Sequence, residues 1–394
     1  MQEQAQAKQI SLRLKKGKER PILQHHHWIY SGAIASQSGD GFFAEVFSHA
    51  EERLGVAMLN PGRSISGHMV AFGDQSLEEA FARRIAKAIE LRKKLFDPAE
   101  TNAIRLINAE GDGLPGLIVD SYNGVLVLQI SHPGLESFKS LIVDLLVKEA
   151  APRSVYEKST SFLRKKEELE EAKGLLYGED IPEVEVLENG LRYSVHVLEG
   201  QKTGLFLDQR EMRLLVRQIS KDKRVLNCFA YTGGFSISAL QGGASHVDSV
   251  ELSKKCEAAV EQNLALNGLD ANRHRFLLED AIDFVAKKPL DYDLVILDPP
   301  AFAKQKSSID RAFRAYKDMN KTALEKMPSG SLLLTCSCSY HVGEELFQNI
   351  LFRASLESGR KVRILDRHRQ AHDHFVSIFH PESSYLKSML LLVE

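Results

Sequence analysis

From about Arg210 to the carboxyl end, short apolar runs bounded by turns alternate with helix-length stretches, and this alternation limits the fold more than any other feature of the chain. Strands fit 224–229, 246–251, 275–278, 294–298, 331–336, 362–365 and 388–393, and helices fit 235–241, 254–267, 281–287, 311–327 and 343–356. Strands that are apolar on both faces need helices on both sides, so an α/β domain around a parallel sheet is expected. Such sheets bind ligands at the carboxyl ends of their strands, which is where functional residues should be sought.

The chain before this region reads differently. Strands fit 10–14, 28–30, 42–46, 55–59 and 68–72, broken by Gly39-Asp40-Gly41 and Asn60-Pro61-Gly62, which predicts a small β barrel. Ser76 with Glu79 three residues later forms a capping-box pattern that opens a connector helix over 77–95. Strands at 104–109, 117–120, 125–130 and 154–158, a helix over 135–149, and a hairpin of 184–187 and 192–198 turning at Asn189-Gly190 predict a central α+β domain. The polar run 165–173 is read as a solvated helical face. A length of 394 residues exceeds what one core usually supports, and the expected domains are 1–75, 76–200 and 201–394.

Composition excludes little. Hydrophobic residues at 43% and charged residues at 26% describe an ordinary globular protein. No apolar run approaches the roughly 18 residues of a membrane helix, and the first residues lack an apolar leader, so a cytoplasmic protein without membrane partners is expected. Four cysteines are too few for a disulfide framework and are read as thiols. A net charge of −2 is compatible with a nucleic-acid partner when basic residues are grouped. Two groups exist: Arg13, Lys15, Lys16, Lys18 and Arg20, and Arg360, Lys361, Arg363, Arg367 and Arg369. Each would ordinarily be a solvated face, but a pair of them suits phosphate contacts. The triplet His25-His26-His27 fits a barrel loop, with RNA contact as the second reading.

The first predicted strand of the α/β region runs into Phe229-Ala230-Tyr231-Thr232-Gly233-Gly234, a glycine turn opening a helix, and Glu251 ends the next strand. Glycine lets backbone approach a ligand closely, and an acid at the second strand tip can accept from both hydroxyls of a ribose. The spacing is not that of a dinucleotide fingerprint, so a nucleoside without pyrophosphate fits better. S-adenosylmethionine meets that description, with its ribose on Glu251, adenine near Leu252 and Asp280-Ala281, and its amino-acid end at Thr232-Gly233. The bland alternative is that these glycines only turn the chain.

Further on, Asp298-Pro299-Pro300-Ala301-Phe302 ends one strand and Ser337-Cys338-Ser339 ends the following one. A carboxylate and a thiol at neighbouring strand tips face one cleft and suggest covalent catalysis on a base. Cysteine is more often a small buried hydrophobe, and Cys336 lies on the same strand face as Cys338. Cys336, Cys338 and His341 offer metal-ligand types, but a fourth ligand at finger-like spacing is missing, and no metal is expected.

These segments carry a family resemblance. The run Arg224-Val225-Leu226-Asn227-Cys228-Phe229-Ala230-Tyr231-Thr232-Gly233-Gly234-Phe235 resembles motif I of the RlmI-type 23S rRNA cytosine-C5 methyltransferases of bacteria. Lys202-Thr203-Gly204-Leu205-Phe206-Leu207-Asp208-Gln209-Arg210 is similar to that family's K-T-G-x-x-x-D-Q-R segment, and Asp298-Pro299-Pro300-Ala301-Phe302 and Ser337-Cys338-Ser339 to its motif IV and cysteine motif. Lys15-Lys16-Gly17 and His27-Trp28-Ile29-Tyr30-Ser31-Gly32 resemble its PUA domain, an RNA-binding module. Ala301 departs from the family, where many relatives carry lysine, and Cys336 adds a second thiol.

The resemblance implies a PUA-like barrel, a central α+β domain and a Rossmann-like class I methyltransferase domain. It implies S-adenosylmethionine as cofactor, held by Gln209, Arg210, Phe229, Tyr231, Thr232, Gly233, Gly234, Glu251, Leu252, Asp280, Ala281 and Asp298. It also implies 23S rRNA as partner, with Cys338 and Asp298 catalytic. Cys338 would add to C6 of cytosine, activated in part by the helix that begins near Gly343, while the base that removes the C5 proton stays unnamed. Methylation of a purine at an exocyclic amine or guanine N7, and a non-catalytic RNA-binding assembly factor, are the alternatives. Homodimerisation is left open.

Overall fold

The computed structural model describes residues 10–160, 164, 168–200, 203–303 and 305–394. Its chain forms two compact units, one of Met1–Val186, Val195–Gly204 and Asp373–Ser383, the other of Leu187–Ser194, Leu205–His372 and Ser384–Glu394.

In the first unit, β1 (Ile10–Leu14), β2 (Trp28–Tyr30), β3 (Ile34–Ser38), β4 (Phe43–Phe47), β5 (Arg53–Leu59) and β6 (Ile65–Phe72) form a sheet in the order β2-β6-β5-β4-β1-β3. Leu12, Val46, Ala57 and Met69 fill its interior. Strand β3 is absent from the sequence reading because it is an exposed edge with no apolar alternation, joined through its backbone to β1. Gly55 is required in β5: at φ +142°, a Cβ there would sit 2.1 Å from the carbonyl oxygen of Ala71.

The connector helix spans Leu77–Leu95, as predicted. Its capping box is complete, with Glu79 N–H donating to Ser76 Oγ at 3.2 Å and Ser76 N–H donating to the Glu79 carboxylate at 3.1 Å. Phe81, Ile85 and Ile89 enter a core that takes Met58 and Val70 from the barrel and Leu117, Val119, Leu126 and Leu128 from the next sheet. The predicted boundary near residue 75 therefore divides segments of sequence while the apolar core runs across it.

That next sheet consists of β7 (Ala103–Asn108), β8 (Leu117–Tyr122), β9 (Val125–Ile130), β10 (Ser154–Ser159) and β11 (Ala172–Gly178), ordered β11-β10-β9-β8-β7. The helical reading of 165–173 is corrected at its end, where Ala172 and Lys173 begin β11 and pair antiparallel with β10. Residues 165–167 lie outside the described residues. The cause is the following Leu175-Leu176-Tyr177, whose β preference and edge pairing outweigh the polar composition before it. The helix expected over 135–149 is two, Pro133–Ser137 and Lys139–Ala150.

The hairpin of β12 (Glu183–Glu188) and β13 (Leu191–His196) turns at Asn189 (φ 51°) and Gly190 (φ 74°), the two left-handed residues of a type I′ turn. Its tip, Leu187–Ser194, belongs to the second unit. The remaining strands are β14 (Arg224–Cys228), β15 (His246–Glu251), β16 (His274–Leu278), β17 (Leu294–Leu297), β18 (Leu332–Ser337), β19 (Val362–His368) and β20 (Lys387–Val393). They form one sheet ordered β16-β15-β14-β17-β18-β20-β19.

Strands β14 to β18 are mutually parallel, but β20 runs antiparallel between β18 and β19, correcting the expectation of a wholly parallel sheet. Periodicity reports burial on two faces and carries no information on strand direction. The helix Arg210–Ile219 also escaped the reading, although Met212, Leu215, Val216 and Ile219 recur at helical spacing among four charged residues. The order reverses at β14 and β17, and the clefts beside their carboxyl ends are where this architecture places ligands. No helix among the described residues is long and apolar enough to cross a membrane.

Candidate active site

Strand β14 ends at Cys228 and the chain turns through two non-glycine residues in the left-handed region, Phe229 (φ 61°) and Tyr231 (φ 48°), before Gly233 (φ 79°) caps the helix Gly234–Gln241. Such conformations cost roughly 1–3 kcal/mol each and persist only where neighbours enforce them. Here Ala230 N–H donates to Val250 O (3.1 Å), Gly233 N–H to Ala230 O (2.9 Å), and Tyr231 N–H to the Glu251 carboxylate (3.0 Å). Asn263, on the helix Lys255–Leu266, donates from Nδ2 to Thr232 O and accepts from Ser194 N–H, both at 2.9 Å. The Phe206 ring packs edge-on against Tyr231 with centroids 5.2 Å apart.

The other carboxylate oxygen of Glu251 accepts from Ser253 N–H at 2.9 Å. A carboxylate has about four lone-pair sites, so two remain for hydroxyl donors. Next along are apolar side chains turned to solvent at the strand ends: Leu252 is 69% exposed, and Leu278, in register with Glu251, is 49% exposed. Asp280 caps the helix Ala281–Lys287 by accepting from Asp283 N–H at 2.9 Å. A carboxylate with spare acceptors beside exposed leucines fits the ribose and adenine of a nucleoside, so the residues present suit S-adenosylmethionine.

The substrate side lies at the ends of β17 and β18. Asp298 Oδ1 accepts from Gln209 Nε2 at 3.0 Å, and Gln209 is 2% exposed. Cys338 is half-buried, and its Sγ lies 3.8 Å from the carbonyl oxygen of Pro299, to which the thiol donates. Ser339 Oγ accepts from Ala303 N–H at 3.1 Å and pairs with Tyr316 Oη at 3.0 Å, which joins the two turns. Cys336 is fully buried; burial first, then the Asp298 charge, pushes its thiol well above the usual cysteine range. Of two thiols two residues apart, only Cys338 reaches the cleft.

Residues 105–367 match the family described as S-adenosylmethionine-dependent methyltransferase, and residues 12–72 match a PUA-like domain. The ribosomal RNA large subunit methyltransferase I of Alteromonas mediterranea is 39% identical over 385 residues, covering 96% of this chain and 97% of its own. The chain belongs to the ribosomal RNA large subunit methyltransferase I family.

Two solved structures agree with that membership. One, assigned as a SAM-dependent methyltransferase of Streptococcus mutans, has a TM-score of 0.83 at 25% identity over 97% of this chain and 99% of its own. The other, assigned as a methyltransferase and solved with SAH, has a TM-score of 0.85 at 26% identity over the same shares. As a family member this protein is an S-adenosylmethionine-dependent methyltransferase of class I with a PUA-like barrel at its N-terminus.

Arg210 is 2% exposed with Glu188 at 3.9 Å and Glu211 at 3.8 Å, and Glu188 is also held by Arg213 through two contacts of 2.6 Å. The Arg210 Nε and Nη1 stand at ion-pair but not hydrogen-bond distance from these carboxylates, and its place at the cofactor rests on the resemblance alone. Lys202 lies outside the described residues, while Thr203 donates to Asp120 at 2.6 Å in the first unit. The helix expected to activate Cys338 begins at Glu344 behind an N-cap at Gly343, with Glu344 and Glu345 in its first turn. Helix-end fields fade within a turn and acidic residues oppose a thiolate, so this helix is a weak activator.

Sequence reasoning missed Asn263, Tyr316 and Lys387. The first two are ordinary helix residues without a local signal. Lys387 had one, a charge heading an apolar strand, the same signal that marked Asp298. Among the described residues, the one group of three metal-ligand types gathered within 4.8 Å is His26, His380 and Glu382. There Trp28 N–H donates to His26 Nδ1 at 3.2 Å, which leaves the proton on Nε2 facing Glu382 at 3.4 Å, while His380 Nδ1 stands 3.7 Å from the other Glu382 oxygen, beyond hydrogen-bond distance. The C-terminal basic group is partly paired within the protein, Arg363 with Glu394 at 2.8 Å and Arg369 with Glu344 at 2.9 Å.

Proposed function

We propose that this enzyme methylates C5 of a cytosine in 23S rRNA through a covalent adduct with Cys338. The observation that carries the reading is the half-buried Cys338 thiol 3.8 Å from the Pro299 carbonyl, beside Asp298, at the ends of adjacent strands. S-adenosylmethionine, when bound, supplies an electrophilic methyl group on a sulfonium. Cytosine C5 is a weak nucleophile until a thiolate adds at C6, which makes C5 electron-rich. Cys338 forms that C6–S bond; Asp298, oriented by Gln209, faces the N3/N4 edge and shares the proton taken up there. Loss of the C5 proton then expels the thiolate and restores the ring.

On the cofactor side, Glu251 accepts from the ribose hydroxyls, Leu252 and Asp280-Ala281 border the adenine, and Phe229, Tyr231, Thr232, Gly233 and Gly234 shape the amino-acid end. The PUA-like barrel and its basic residues Lys16 and Lys18 contact RNA phosphates, and the target base is unstacked to reach the cleft. Support for the rRNA substrate is that relatives 36–39% identical over nearly the whole chain are ribosomal RNA large subunit methyltransferases. A ribosomal RNA substrate puts the enzyme in the cytoplasm. One chain supplies every residue named here, and no observation supports the homodimer.

RNA carrying 5-fluorocytosine at the target tests the covalent step. Fluorine cannot leave C5 as a proton, so a protein–RNA adduct through Cys338 should accumulate and be mapped by peptide mass spectrometry. Turnover without an adduct, with the product identified as a methylated purine, would replace this reading by purine methylation, for which the Asp298-Pro299-Pro300-Ala301-Phe302 turn would suffice.

A further inference from the structure

Lys387 heads β20 directly opposite Ser337, the residue before Cys338. It is only 6% exposed, and its ammonium donates to Ser339 O at 2.7 Å and Tyr385 O at 2.6 Å. An ammonium has three donors, and both bonds go to neutral carbonyls. Among the described residues no carboxylate lies within ion-pair distance of Nζ, although a buried charge without a counter-charge is costly. Its register partner Ser337 and its hydrogen-bond partner Ser339 bracket Cys338, so the ammonium lies against the turn that carries that thiol.

The other titratable groups around the thiol are Asp298 at the end of β17, Cys336 on β18, and Tyr316 on the helix Ile309–Lys326. Burial raises the Tyr316 hydroxyl to about 12 and Cys336 well above its ordinary range, so both stay neutral. The Asp298 charge, which also raises the Cys336 thiol, opposes a thiolate. Tyr385 is committed elsewhere, its hydroxyl donating to Asp208 at 2.6 Å. Lys387 is thus a cation held at this turn, pinned by two carbonyls so that its charge cannot swing away.

We propose that Lys387 holds Cys338 as the thiolate before RNA arrives, acting as a positioning residue beneath the nucleophile. The thiol proton, directed in this structure at the Pro299 carbonyl, passes to bulk water with loss of that weak hydrogen bond, Lys387 keeps its three protons, and each charge becomes the counter-ion of the other. Burial lowers the Lys387 ammonium to about 8, and a neighbouring thiolate counteracts that lowering. This rests on the Cys338 reading above but is measured without RNA.

The test is the rate of iodoacetamide alkylation of Cys338 against pH, followed by peptide mass spectrometry on the full-length protein. Wild type should titrate below an ordinary cysteine. Lys387→Met, a neutral side chain of similar length, should raise the midpoint by about one unit and slow alkylation about tenfold at neutral pH, while Lys387→Arg retains most of the rate. Superimposable profiles for wild type and Lys387→Met would overturn the proposal. So would a wild-type midpoint at or above that of free cysteine, which needs no variant to fold. If the profile depends on Lys387 while Cys338→Ala still makes 5-methylcytosine, the ion pair stands and the nucleophile assignment falls.

Discussion

At the ends of β14 and β15 the cleft is built largely from backbone held in uncommon conformations, whereas at the ends of β17 and β18 it is built from side chains contributed by five separate segments. The loop after β14 places Phe229 and Tyr231 in the left-handed region and anchors the Tyr231 N–H on Glu251. The substrate side assembles Gln209, Asp298, Tyr316, Cys338 and Lys387, each on a different stretch of chain. A backbone site depends on conformation and spreads its energy over several bonds. A side-chain site concentrates its chemistry in single atoms. Substitutions should accordingly have graded effects on the first and all-or-none effects on the second.

The largest expected effect is on the substrate side. Cys338→Ala should reduce 5-methylcytosine formation to the detection limit by nucleoside mass spectrometry, with cofactor affinity by calorimetry unchanged. Cys336→Ala removes a buried sulfur at a cost of roughly 1 kcal/mol in stability and should keep the activity. Full activity in the double variant would end the covalent reading, and loss of cofactor binding in Cys338→Ala would erase the contrast between the two sides.

A graded loss is expected at Glu251. Glu251→Ala removes the acceptor for the ribose hydroxyls and leaves Tyr231 N–H and Ser253 N–H without their present partner. A weakening of about 1.5–3 kcal/mol, ten- to a hundredfold, should appear in calorimetric titration with S-adenosylmethionine. Glu251→Gln should lose less. An unaltered affinity in Glu251→Ala would remove the ribose role.

Smaller again is Asn263→Ala. It removes the hydrogen bonds to the Thr232 carbonyl and from the Ser194 N–H, at about 1–3 kcal/mol in denaturant stability. If the loop works through its conformation, cofactor affinity falls along with stability although Asn263 never touches the ligand. Stability that falls alone would mean the loop keeps its shape without this support.

The smallest effects belong to exposed lysines of the barrel. Lys16→Ala and Lys18→Ala should each lower the log–log salt dependence of RNA binding by roughly 0.7–0.9, with little change in stability. Identical slopes would exclude these two residues from the RNA surface.

Legibility in the sequence follows the same division. The glycine turn and the acid at the next strand tip could be read because backbone requirements impose residue types at short range. Asp298 and Cys338 were also visible, since each ends an apolar strand with a polar group. Arg210 came from the resemblance and not from any local signal, and nothing in the sequence announced that Glu188 of a distant hairpin would lie 3.9 Å from its guanidinium. Strand β3 and the residues entering β11 were misread because exposed edge strands are held by backbone pairing, which leaves no hydrophobic period behind.

The sequence by itself determined the element types, the buried faces and the cofactor turn, because periodicity, capping and positive-φ positions act over a few neighbouring residues. Only the tertiary structure decided that β20 enters antiparallel beside β18 and so brings Lys387 to the turn after Cys338. It also decided which of two adjacent thiols meets the cleft. Both outcomes depend on pairing between segments separated by about fifty residues, and no local preference encodes which partner a strand will choose or which charge will be buried beside it.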